Sequence, residues 1–410
     1  MRAMSRRNIV FIVIGALIVL AALVYQIPAV QSRLAWRLDL LGAAARNLVD
    51  PAGGVPTARV LADPEVIVVT LEPTEAPADV PTPTTAATPT ALPASASIDA
   101  LEVEYQTPNN CGPATLSLYL RFYGWEGDQT TISDEIKPVP RDRNVNVDEL
   151  DFYVRTQAGW LNTLFRVGGD LEMIKAFVSA GIPVMVEKGE IIEVDYLFND
   201  DYWAGHYALV TGYDDASGMI SYQDTFRGAD QQLSYAEFDV FWQQFNRVYT
   251  LVYLPGQEAT VQAILGPHWD EEYNREQALQ AAIAETQSDP ENVFVWFNLG
   301  MNQVYFEQYP QAAQTFDKAR DLGWPMRMLR YQFGPFFAYF HSNRNEDLHA
   351  LADYALRITD VSEEAMIWKG WALWKDGDLG GAREMFNLAL ETNPASHQVQ
   401  QAIDYLNTNP

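Results

Sequence analysis

Residues 105–125 read YQTPNNCGPATLSLYLRFYGW, and the run NNCGPA within them opens a helix. Gly112 and Pro113 suit a first helical turn, where backbone NH groups have no partner inside the helix and proline forfeits nothing. Cys111 then stands at the positive end of the helix dipole, which favours thiolate over thiol and supplies a nucleophile. Gln106, five residues earlier, can aim its side-chain amide at the oxyanion that forms when a thiolate attacks a carbonyl. Cys111 is the single cysteine among 410 residues. That excludes an intrachain disulfide framework, a Cys-rich zinc site and an iron–sulfur cluster, and leaves free-thiol chemistry.

A nucleophilic thiol needs a base, and His206 is the one histidine between residues 99 and 256. It opens the apolar run HYALVTGY, residues 206–213, which reads as a strand. Further strand candidates are PVMVE (183–187), MISYQ (219–223) and VYTLVYL (248–254), with turn signals at Asp214-Asp215 and Ser217-Gly218. If the strands at 206 and 219 pair through that turn, Asp224 comes to lie beside His206 and can orient its ring. A helix follows Cys111 and a second is expected near 171–180, so helices lead and strands follow, the order of an α+β domain.

Gln-x4-Cys-Gly-Pro-Ala at Gln106–Ala114, Gly205-His206 heading a strand that ends Thr-Gly-Tyr-Asp, and an Asp on the next strand together resemble the papain-like cysteine peptidases of family 39. These are the bacteriocin-leader-processing, or double-glycine, peptidases. The resemblance implies an α+β papain-like domain over 99–256. By it Cys111 is the nucleophile, His206 the general base, Asp224 the orienting acid and Gln106 the oxyanion-hole donor, hydrolysing peptide bonds through an acyl-thioester. Thr225 stands where family members commonly carry proline, a departure that removes no catalytic group; the transporter body of the bacteriocin exporters is not seen, so double-glycine specificity is not carried over. Two other readings share these residues: an inactive papain-like binding scaffold, and a cell-wall peptide amidase or transpeptidase.

Outside this core the composition changes sharply. Residues 9–24, IVFIVIGALIVLAALV, follow Arg2, Arg6 and Arg7 and read as an uncleaved transmembrane signal-anchor within 1–30, with the bulk of the chain extracytoplasmic. A juxtamembrane segment (31–70) leads to a Pro/Thr-rich linker (71–98) with six prolines, which as polyproline II would reach roughly 80 Å. From 257 to 410 the chain reads as helical repeats. Trp296, Leu299, Gly300, Ala312, Phe316, Ala319 and Pro325 resemble a tetratricopeptide unit, and Gly370, Ala382, Phe386, Ala389 and Pro394 a second, which implies a protein partner. With 27 Lys+Arg against 54 Asp+Glu, a net charge of −27, the surface is unfit for nucleic acid. The acidic group Asp195, Asn199, Asp200 and Asp201 lacks calcium-loop spacing and reads as a solvated turn; no cofactor or metal is expected.

Overall fold

The computed structural model describes residues 6–25, 53–58, 92–99, 102–139, 144–192 and 197–409, with short stretches between 38 and 49. Two compact units emerge, Met1–Ala52 with Val194–Asp200, and Gly53–Glu193 with Asp201–Pro410. In the first, helix α1 spans Arg6–Tyr25. Among the described residues no helix is long and apolar enough to cross a membrane. The anchor expected at 9–24 therefore finds no support in the structure.

In the second unit the described residues include a seven-stranded antiparallel sheet. Its strands are β1 (Ser95–Ser97), β2 (Asn162–Arg166), β3 (Val184–Ile191), β4 (Trp203–Asp214), β5 (Met219–Asp224), β6 (Gly228–Ser234) and β7 (Tyr249–Tyr253). They run in the order β2-β7-β3-β4-β5-β6, with β1 also on β4. Helices α2 (Cys111–Phe122), α3 (Gln129–Ile136), α4 (Val147–Gln157), α5 (Leu171–Ser179) and α6 (Tyr235–Gln243) cover it. Successive strand residues point to opposite faces. Tyr207 and Leu209 of β4 therefore join α2, α3 and α4 in one apolar cluster. Ala208 and Val210 join α5 and α6 in another. With both faces covered, β4 is buried from Trp203 to Tyr213.

The four strands expected from sequence are present, each with shifted ends. The three unexpected ones have a common cause: β2 and β6 close the two ends of the sheet, and β1 is three residues long. Edge strands are short or polar by necessity, and GADQQLS in β6 carries no apolar alternation. β1 also moves the start of the folded domain into the stretch expected as linker. Residues 71–91 of that linker lie outside the described residues. The chain on either side does not: Arg320 donates to the Pro56 carbonyl at 2.7 and 2.9 Å and to that of Thr57 at 3.1 Å, while β1 pairs with β4. The described residues on both sides of the proline-rich run thus belong to the same compact unit.

After β7 the chain is helical: α7 (Glu258–Leu265), α8 (Glu271–Ser288), α9 (Val293–Tyr305), α10 (Tyr309–Leu322), α11 (Gly334–His341), α12 (Asn345–Ile358), α13 (Glu363–Lys375), α14 (Leu379–Thr392) and α15 (His397–Thr408). Gly300 on α9 lies under the Phe316 ring of α10, where an added Cβ would come within 2.6 Å. Gly370 on α13 meets Phe386 of α14 in the same way. The absent side chain lets two helices close on a buried ring. The helical region does not stand apart from the sheet. Trp203, Phe245 and Val248 share a core with Phe297, Phe316, Met328 and Tyr339.

Candidate active site

Helix α2 is locked onto β4 at its first turn. Thr115 donates its hydroxyl to the Tyr207 carbonyl at 3.3 Å, and Gly112 allows the Tyr207 ring to approach to where a Cβ would sit 3.4 Å away. The loop before α2 is clamped by Gln129, a buried residue at the start of α3. Its Oε1 accepts from the Thr107 backbone NH (2.7 Å), the Thr107 hydroxyl (3.1 Å) and Asn110 Nδ2 (2.9 Å). Its Nε2 donates to Glu104 (2.8 Å) and to the Tyr105 carbonyl (2.9 Å). Lys137 Nζ donates to the Asn109 carbonyl at 2.7 Å. Asn109 has φ 60°, a left-handed conformation that asparagine tolerates, and it turns the chain into the helix.

This loop and β4 bring Cys111, His206 and Asp224 into one row. His206 Nε2 meets Asp224 Oδ1 at 3.0 Å, with both side chains buried. The other ring nitrogen is left for the thiol, and His206 is near enough to Cys111 to favour its ionisation. The hairpin accounts for the pairing. Leu209 lies opposite Gln223, so Asp224 falls opposite Ala208, two residues along the same face from His206. Asp224 Oδ1 also accepts from the backbone NH groups of Phe226 (2.7 Å) and Arg227 (2.9 Å).

The charges follow from these contacts. Burial raises the Asp224 carboxyl, but the positive charge and hydrogen bond of His206 and the two backbone NH groups hold it well below the usual carboxylate range. Burial likewise opposes a charged His206, yet the charge and hydrogen bond of Asp224, together with the thiolate, raise it to about 9. Burial opposes ionisation of Cys111; the hydrogen bond and charge of His206, a backbone hydrogen bond from Tyr207 and the charge of Lys137 together lower it below an ordinary thiol. Thiolate and imidazolium stabilise one another. Glu187 is pushed the other way, well above the usual carboxylate range, by its burial first and by the neighbouring thiolate charge second.

Gln106 also joins the group. Its backbone NH donates to the Thr225 carbonyl at 2.8 Å, and the Thr225 hydroxyl donates to Gln106 Oε1 at 3.0 Å. That bond engages the oxygen end of the amide. Of the four residues singled out in the sequence, Cys111, His206 and Asp224 are brought together, and Gln106 is tied to Thr225 beside Asp224. Gln129, Lys137 and Thr225 were missed, and Thr225 had stood as a departure from the family pattern. A cavity of about 10 Å3, room for one water, lies against Cys111 and is lined by Val145, Glu187, Gly205, Tyr207 and, from the helical region, Tyr331. Among the described residues no group of acidic, histidine or cysteine side chains is arranged to hold a metal.

The family model of the Peptidase_C39-like family matches residues 98–250. Residues 98–250 are thus similar to the C39-like peptidase domain. Among solved structures, a protein assigned as a C39-like peptidase from Bacillus anthracis matches at 17% identity, covering 39% of this chain and 97% of its own, with a TM-score of 0.32. The peptidase domain of Streptococcus ComA, a bifunctional ABC transporter of a quorum-sensing pathway, matches at 14% identity, over 37% and 98%, with a TM-score of 0.28. Xylellain, a cysteine protease from Xylella fastidiosa, matches at 11% identity, over 40% and 87%, with a TM-score of 0.30. No curated protein matches the chain. The matched residues start just after β1 and end within β7, and the helical region after β7 lies beyond them.

Proposed function

We propose that the chain is a cysteine peptidase in which Cys111 is the nucleophile, His206 the general base and acid, Asp224 the orienting acid and Gln106 an oxyanion donor. The observation that carries this reading is the row from Cys111 through His206 to the 3.0 Å contact with Asp224, at the start of a helix. The thiolate attacks the peptide carbonyl, and the oxyanion takes a hydrogen bond from Gln106 Nε2. His206 then protonates the leaving amine, releasing it and leaving an acyl-thioester. Water, deprotonated by the now neutral imidazole, attacks the thioester and regenerates the thiolate.

The hairpins α9/α10, α11/α12 and α13/α14 are read as tetratricopeptide-type repeats that hold a protein substrate or partner, on the strength of Gly300 against Phe316 and Gly370 against Phe386. The apolar residues 9–24 are read as a membrane anchor with the remainder extracytoplasmic. The test is hydrolysis of a random peptide library by the purified full chain in detergent, followed by mass spectrometry. Cleavage that disappears in Cys111→Ala and His206→Ala supports the peptidase. An unreactive Cys111 and an intact library would leave a binding scaffold.

A further inference from the structure

Successive helices from α8 to α15 are joined by three or four residues, with one exception: eleven residues, 323–333, separate α10 from α11. Long connections in a compact domain are commonly functional. This one is laid across the peptidase domain. The Met326 NH donates to Asp201 (2.6 Å), Arg327 to the Trp203 carbonyl (2.9 Å), Arg330 to Asn109 Oδ1 (2.9 Å), and Gln332 to the Gln244 carbonyl (3.1 Å). Arg327, Met328, Leu329 and Gln332 are all buried, so the segment is built in.

Its end reaches the reacting groups. Asn109 is two residues before Cys111, and Tyr331 lines the cavity against the thiol. Gly205, next to His206, makes room for that ring: a Cβ there would lie 3.0 Å from Tyr331 and 2.7 Å from Phe245. We propose that residues 323–333 form one wall of the substrate groove, with Tyr331 as the residue that sets how large a group is admitted beside Cys111. The helical region is then part of the site that selects substrate. The proposal rests on Cys111 being the nucleophile, and its test separates the two ideas.

The experiment compares alkylation of the full chain in detergent by iodoacetamide and by the bulkier N-benzyl-iodoacetamide, each relative to glutathione. The pH dependence with iodoacetamide reads the thiolate; the ratio of the two rates reads the wall. The expected result is discrimination against the bulky reagent that falls about tenfold in Tyr331→Ala and is kept in Tyr331→Phe. Asp201→Asn, which loosens the segment at its far end, should lower the ratio too, and serves if Tyr331→Ala fails to fold. A ratio unchanged in the folded variants, or equal to that of glutathione from the start, overturns the wall. An ordinary pH dependence with an altered ratio would overturn the nucleophile and keep the wall.

Discussion

Thr225 donates its hydroxyl to Oε1 of Gln106 at 3.0 Å, and this bond fixes the oxygen end of the amide on Thr225. Gln106→Ala should slow acylation of Cys111 by p-nitrophenyl acetate on the order of 10²-fold, the usual cost of one oxyanion donor. Thr225→Val, which frees the amide to rotate, should cost about tenfold, the worth of one hydrogen bond, and Thr225→Ser should recover it. Alkylation by iodoacetamide forms no oxyanion and should stay unchanged in all three. A Thr225→Val enzyme that acylates at the normal rate would detach this residue from the site.

Reactivity should follow the paired charges. Cys111 ionises below the ordinary thiol range, so alkylation should remain fast well under the ~8.5 at which a free cysteine is half ionised. His206→Ala should return the profile to the ordinary one. Peptide hydrolysis also needs the imidazolium, so its rate should fall again as pH climbs through about 9, where His206 loses its proton. The same proton links to folding. Because its folded value lies above the ordinary ~6.5, the stabilisation it brings is complete below that pH and fades as pH rises through the folded value.

Asp224 acts in the opposite sense. Its folded carboxyl is depressed, so its contribution to stability is complete above the ordinary ~3.9 and is lost as pH falls below it. Urea midpoints measured from pH 7 to pH 3 should therefore fall more steeply for the native chain than for Asp224→Asn. The same substitution weakens the hold on the imidazole and should reduce peptide hydrolysis on the order of 10² to 10⁴-fold. A variant with full activity would mean that His206 needs no acidic partner.

In the helical region the prediction concerns packing. Gly370→Ala gains up to ~1 kcal/mol of helix propensity but drives a methyl into the Phe386 ring, which is fully buried. Overpacking of this kind costs about 1–3 kcal/mol, so a net loss in melting temperature is expected, with Cys111 alkylation unaffected. An unchanged or raised melting temperature would show that the α13/α14 contact can open.

The hairpin was legible because a short turn between two apolar runs fixes a register, and the register alone sets Asp224 diagonal to His206. The nucleophile was legible because Gly112-Pro113 is a local signature of a helix start. Gln129 left no such trace; a glutamine at a helix start is unremarkable until the fold brings Thr107 and Asn110 to it. Tyr331 is more than two hundred residues from Cys111 and reaches it only through packing between the sheet and the helices. Thr225 was misread because a family pattern records which residue is usual, and its hydroxyl acts on Gln106, 119 positions away.

β1 and residues 53–58 bear on how the protein is to be handled at the bench. A truncation beginning at Asp99 would delete the partner of Gly212, Tyr213 and Asp214 and bare the edge of the strand that carries His206. It would also remove the Pro56 and Thr57 carbonyls from Arg320, whose side chain has no exposure to water, leaving a buried cation under-satisfied. The loss would surface as poor expression and be mistaken for a lack of activity. A recombinant form that keeps both clasps begins ahead of Gly53.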